Sequence, residues 1–261
     1  MAITNPTSSA DQSPNDKVQT AADFLSAAWD VPDDLDGQSE AYRDWAAKRK
    51  LAASIHELAR LCTATDATAD TLDAVREMAD AAVEKLEKAG ARSFEAAWKD
   101  GSYVRDPVRW TDRVWLVGGS NPSVPRLKLA MEDEVAVGAI TFDETCVGAP
   151  GWAHGGMVAA AFDQTCGFAL ISKGLPIVTA KLTVDYVLPT PLNVAIRYSA
   201  RETKRGDRTV HVDAKAHRID GGGNQTLIGK AKALFVIVKP EVFEKNAPGR
   251  GSFVDDINQS P

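Results

Sequence analysis

Hydrophobic positions recur along this chain with two different periods, and the change from one to the other divides it. Between Asp23 and Gly90 the spacing is helical. Leu51, Ile55, Leu58, Ala59, Leu61 and Cys62 form one stripe; Leu72, Val75, Met78, Ala79, Val83 and Leu86 form another. The stretch Thr63–Asp70 between them is rich in residues that cap helix starts, and Gly90 supplies a stop. These features predict an antiparallel helical hairpin whose role is packing or oligomerisation. Residues 93–125 read as a linker, punctuated by Trp, Pro and Gly-Gly. From Arg126 the period becomes two. Arg126–Met131 and Glu134–Phe142 bracket the short turn Glu132-Asp133, a hairpin signal. Met157 to Leu170 is alanine-rich and apolar on nearly every side, which predicts a buried helix over about 154–171. Four strand-like runs follow, 177–188, 193–204, 208–220 and 225–238, separated by Pro189-Thr190-Pro191, Arg205-Gly206-Asp207 and Gly221-Gly222-Gly223. A helix with no polar face needs enclosure, so the expected class is α+β: an antiparallel sheet wrapped around a central helix, preceded by a helical N-terminal region.

Composition narrows the setting. The chain has 261 residues, 44% hydrophobic and 25% charged, as in an ordinary soluble protein. No apolar run reaches the roughly 20 residues of a membrane span. The start, MAITNPTSSADQSPNDK, lacks the basic and apolar segments of a secretory signal, and residues 1–17 are expected to be disordered. Cys62, Cys146 and Cys166 are odd in number and widely spaced, which argues against a disulfide framework and for a cytoplasmic setting. The net charge of −6 is uneven. Residues 1–100 carry 11 Lys+Arg against 19 Asp+Glu, whereas residues 181–239 carry 11 against 5. That local excess is too small for a nucleic-acid platform but suits a ligand bearing a few phosphates.

The chemistry concentrates at Gly151-Trp152-Ala153-His154-Gly155-Gly156 and at Asp163. The first amides of a helix have no internal acceptors, glycine lets an oxygen approach them, and the helix dipole favours negative charge there. Asp163 then stands among Ala, Phe and Cys, where an unpaired carboxylate is costly. Eight residues separate Gly155 from Asp163, about 12 Å along a helix, so one carbonyl carbon cannot lie near both in a single chain. If both act, a second copy supplies one of them. Gly156, Ala159, Ala160, Asp163, Cys166 and Gly167 share a side of the helix and are mostly small, which predicts a dimer seam there.

These residues resemble the hotdog-fold acyl-CoA thioesterases, specifically the PaaI-like group and its long-chain acyl-CoA relatives. The resemblance is carried by His154-Gly155-Gly156, Asp163 nine positions after the histidine, the run Thr179–Tyr186, and Pro189-Thr190-Pro191-Leu192. It covers about residues 115–240 and implies a division into 18–110 (helical region), 111–240 (hotdog) and 241–261 (tail). It further implies a homodimer or dimer of dimers with sites at the interface, and hydrolysis of an acyl-CoA thioester to free acid and CoA. CoA enters as part of the substrate, with no separate cofactor and no metal. In that reading the Gly155 N–H polarises the carbonyl, Asp163 is general base or nucleophile, and His154 orients the loop. Thr179 holds the water or the carboxylate. Gly156, Lys181, Asp185, Lys204, Arg205 and Arg208 are the expected substrate-binding positions, although relatives often carry Asn where this chain has Asp185. Strict alternation puts Thr179, Lys181, Thr183 and Asp185 on one face of their strand. Three rivals are weaker. A Cys-His hydrolase would need Cys166, about 18 Å along the helix from His154, or Cys146, which lacks a positive neighbour. A dehydratase needs a second Asp/His pair, and a non-catalytic acyl-CoA or lipid binder or scaffold has no use for Asp163.

Overall fold

The computed structural model describes residues 42–90, 96 and 107–239; the expected disordered start and the tail 241–261 lie outside the described residues. Helix α1 (Arg43–Ala64) and helix α2 (Ala69–Ala89) come first, and a short helix α3 (Pro107–Thr111) follows. Strands β1 (Lys128–Glu132) and β2 (Val135–Thr141) form a hairpin whose turn residue Asp133 has φ 52°. A single 3-10 turn, η1 (Glu144–Cys146), and a small ribbon of β3 (Val147–Ala149) and β4 (Trp152–Ala153) lead into helix α4 (Gly155–Ile171). Strands β5 (Ile177–Tyr186), β6 (Ala195–Arg205), β7 (Thr209–Ile219) and β8 (Gln225–Ile237) complete the described part of the chain. Six strands make one antiparallel sheet in the order β1-β2-β6-β7-β8-β5, curled around α4. This is the hotdog arrangement.

The central helix explains the curl. Val158, Ala161, Phe162, Thr165 and the run Cys166–Leu170 are all buried, so α4 must be enclosed to be stable. The sheet offers small residues where the helix presses closest. A Cβ on Gly138 would lie 2.7 Å from Thr165 Oγ1, and one on Gly229 would lie 3.3 Å from the Phe162 ring. Phe162 in turn stands edge-on to Tyr198 of β6, ring centres 4.9 Å apart. No helix among the described residues is long and apolar enough to cross a membrane.

Three expectations need correction. First, the predicted helical hairpin does not bury its stripes: Leu51, Ile55, Leu58 and Leu61 of α1 are exposed, and α2 has no buried residue at all. Helix α1 instead docks on the sheet-and-helix portion through its other side, burying Trp45 and Ala52. Second, part of the supposed linker is folded around Asp112. This fully buried carboxylate accepts hydrogen bonds from Trp45 Nε1, Arg49, Ser120 Oγ and the Gly119 amide. Burial by itself pushes Asp112 up, but Arg49, Ser120 and Trp45 outweigh it and hold the carboxyl below the usual range. Third, β5 does not alternate strictly. A bulge between Thr179 and Lys181 shifts the register by one residue. Before it, Ile177 and Thr179 face the helix; after it, Leu182 and Val184 do, opposite buried Ala233 and Ala231 of β8.

Candidate functional site

Helix α4 and edge strand β5 run past each other in opposite directions and are joined at both ends of the candidate site. At one end the Tyr186 hydroxyl donates to the Gly155 carbonyl at 2.8 Å. At the other, the Thr179 hydroxyl donates to Asp163 Oδ1 at 2.9 Å. The bulge makes both contacts possible, because it turns Thr179 and Tyr186, an odd number of positions apart, to the same side of the sheet.

The helix start is more selective than free amides in general. His154 is the N-cap, and its Nδ1 accepts from the Gly156 amide at 3.0 Å. The His154 carbonyl takes the Met157 and Val158 amides. The amide of Gly155, first in the helix, has no hydrogen bond among the described residues. One donor is therefore left for a ligand oxygen, at the positive end of the helix dipole. Gly156 serves the cap: a Cβ there would lie 3.1 Å from His154 Nδ1. Gly148 serves it from behind, since a Cβ at that position would lie 2.5 Å from His154 Cα.

Asp163 is half-buried on α4, and burial raises its pKa above the usual carboxylate value, partly opposed by the Thr179 hydrogen bond. A carboxylate made more basic and held by one hydroxyl is suited to accept a proton. The two buried thiols are not suited to nucleophilic attack. Burial, then the nearby Asp163 and Asp213, pushes Cys166 up, and burial does the same to Cys146.

The remaining predicted residues are not brought to this place. Lys181, Thr183 and Asp185 lie past the bulge, on the outer face of the sheet, opposite Leu234, Lys232 and Lys230. The expected shared face with Thr179 is thus overturned, because the bulge inverts the parity. Asp185 instead borders an outer groove with Lys215, Lys230 and Lys232. Lys204, Arg205 and Arg208 surround the β6–β7 turn, where Arg205 is paired with Glu202 at 2.6 Å. That turn sits beside the C-terminal end of α4, with Lys173 4.0 Å from Glu202, and so at the end of the helix away from Gly155. The small-residue seam is also shorter than expected. Gly156 is exposed and Ala159, Ala160 and Asp163 are half-buried, but Cys166 and Gly167 are buried within the chain, Gly167 against Phe235 and Ile177. Tyr186 is a contact that strict alternation missed, since it puts Tyr186 on the face opposite Thr179; the bulge brings both to the helix side. Among the described residues, no group of three or more His, Cys, Asp or Glu side chains is placed to hold a metal ion.

Comparison with known proteins bears on the same stretch. Residues 150–223, which include Gly155, Asp163, Thr179 and Tyr186, match the thioesterase superfamily. Acyl-coenzyme A thioesterase THEM4 of Mus musculus is 35% identical over 94 residues, 36% of this chain and 39% of the mouse protein. THEM4 of Rattus norvegicus is 33% identical over the same share. The chain thus spans about two fifths of the length of the curated relatives it matches. A crystal structure of a thioesterase superfamily protein superposes with a TM-score of 0.61 at 21% identity, covering 77% of this chain and 96% of that one. That likeness shows the fold, and its coverage reaches beyond the matched residues 150–223.

Proposed function

We propose that this chain hydrolyses an acyl-CoA thioester to the free acid and CoA, with Asp163 of one copy and the Gly155 amide of a second copy forming each site. The observation that carries this reading is the pairing, on one helix, of a carboxylate made more basic by burial with a single unpartnered amide at the helix start. The names of the THEM4 relatives support the substrate class.

In the reaction, the thioester oxygen accepts from the Gly155 N–H. Asp163 takes a proton from water as its oxygen attacks the carbonyl carbon, and negative charge moves onto the oxygen held by the amide. Such a preorganised donor contributes on the order of 3 kcal/mol to the transition state. Collapse breaks the C–S bond, and the CoA thiolate leaves with a proton. In the alternative route Asp163 attacks directly, and water hydrolyses the resulting anhydride with the same groups. Thr179 holds the carboxylate, and His154 spends its Nδ1 on the Gly156 amide, so its role is to shape the helix start. The two halves lie about 12 Å apart along α4, too far for one substrate carbonyl. An antiparallel pairing of two copies would bring them together.

Thiol release from short, long and aromatic acyl-CoAs tests the reading, with Asp163→Asn as the comparison. We expect the substitution to lower kcat at least about 100-fold. Equal activity in both would overturn the role of Asp163. Silence of the wild type on every acyl-CoA, with binding retained, would favour a non-catalytic binder. An active monomer by light scattering would overturn the shared site.

A further inference from the structure

The catalytic amide lies in the hotdog portion, yet the loop leading to it is gripped by a helix outside that portion. His56 of α1 is placed between two acceptors. Its Nδ1 lies 3.0 Å from the Pro122 carbonyl and its Nε2 lies 2.7 Å from Asp143 Oδ2. One turn further on, Arg60 reaches Glu144 at 3.1 Å, and Glu144 also accepts from Asn193 Nδ2 at 2.8 Å. Asp143 is the N-cap of the turn η1 and Glu144 its first residue, so both contacts land at the start of that turn.

From η1 a continuous chain of hydrogen bonds runs to the helix start. Asp143 Oδ1 accepts from the Thr145 amide and hydroxyl, and its carbonyl accepts the Cys146 amide. The Cys146 carbonyl accepts the His154 amide at 2.8 Å. His154 then fixes Gly156 through its side chain, which leaves the Gly155 amide aimed outward. The path has little slack, because Gly148 of the ribbon touches the His154 backbone so closely that no Cβ fits. Asp143 therefore faces α1 with one oxygen and the catalytic loop with the other.

We infer that His56 and Arg60 of α1 are positioning residues for the Gly155 amide, acting through η1 and the His154 cap. The helical N-terminal region is then part of the catalytic apparatus rather than an appendage. This inference rests on the thioesterase reading for its effect on rate, but not for its effect on the loop. An oxyanion donor works only if it is held in place before the reaction, so a loosened loop lowers kcat and leaves ground-state binding alone.

The test uses the full chain in three variants. His56→Ala removes the bridge, Arg60→Ala removes the second contact from a partly exposed site where folding is safe, and Ser120→Ala loosens α1 at Asp112 without touching η1. Backbone hydrogen exchange over 143–156 and acyl-CoA turnover are read together. We expect His56→Ala and Arg60→Ala to speed exchange in 143–156 but not in β6–β8. We expect kcat to fall about tenfold with KM within about twofold, and Arg60→Lys to restore most of it. Ser120→Ala should lower Tm without either change. Unaltered exchange in 143–156 would overturn the inference whatever the activity. Faster exchange with unchanged kcat would overturn its catalytic part, as would an equal kcat loss in Ser120→Ala. A wild type silent on all acyl-CoAs would sink the thioesterase reading and with it the catalytic part, while the exchange result still decides whether α1 holds the loop.

Discussion

Replacing Thr179 with valine removes one hydroxyl from the site and keeps a β-branched side chain of similar shape on the strand. In the native site that hydroxyl donates to Asp163 Oδ1 at 2.9 Å. Burial raises the pKa of Asp163, and the Thr179 bond opposes the rise because it favours the ionised form. A hydrogen bond to a charged group contributes about 1.5–3 kcal/mol, and Thr179 is exposed, so water recovers part of it. A net loss of about 0.7–1.4 kcal/mol corresponds to roughly half to one pH unit. The direction follows from the ionisation: without the donor the carboxylate is harder to form, so its pKa rises further. In the proposed reaction, whether Asp163 is base or nucleophile, the ionised form is the active one. The acid limb of kcat/KM against pH, which reports the free enzyme, should move up by that amount, while the plateau at higher pH falls less than tenfold. Thr179→Ser should keep the wild-type limb. A limb that does not move in Thr179→Val would refute the coupling, and a plateau loss above about 100-fold would assign the hydroxyl to the water instead.

Two further outcomes follow from the same electrostatics. Asp163→Asn should raise Tm at neutral pH even though, on the proposed mechanism, it lowers activity. Between the ordinary carboxylate value and the raised one, the folded state holds a proton on Asp163 that the unfolded state has already released, so wild-type stability declines as pH rises through that window. Calorimetry should show the gap between the proteins closing below the ordinary carboxylate range; a variant less stable than the wild type at neutral pH would contradict this. Asp112→Ala should destabilise the protein by about 3–5 kcal/mol in urea unfolding, because it removes the buried carboxylate that pairs with Arg49 and accepts from the Trp45 indole N–H beneath α1. A loss under about 1 kcal/mol would show that α1 is not anchored there.

Much of this was readable in the chain. The period-two runs located the long strands to within two or three residues, because half-buried strands must alternate. The apolar run from Met157 located the central helix, because a helix without a polar side has to be enclosed. His154-Gly155-Gly156 and the eight-residue step to Asp163 pointed to the proposed chemistry and, if both groups act, to a second copy, since helix rise per residue does not depend on context. The stripes of α1 and α2 are equally periodic, yet they remain exposed, because periodicity shows that a face exists and not what covers it.

The rest depended on pairings between distant residues. A bulge between Thr179 and Lys181 sends Thr179 to Asp163 and Lys181 and Asp185 to the opposite face; facing in a strand depends on its partner's register, which β8 supplies. His56 and Asp143 carry no local signal that they meet, as a hydrogen bond across 87 positions of sequence exists only once α1 has docked. Local spacing and residue chemistry thus determined which groups could act. Tertiary structure decided which of them face one another, because facing is a property of pairing and packing that no single segment contains.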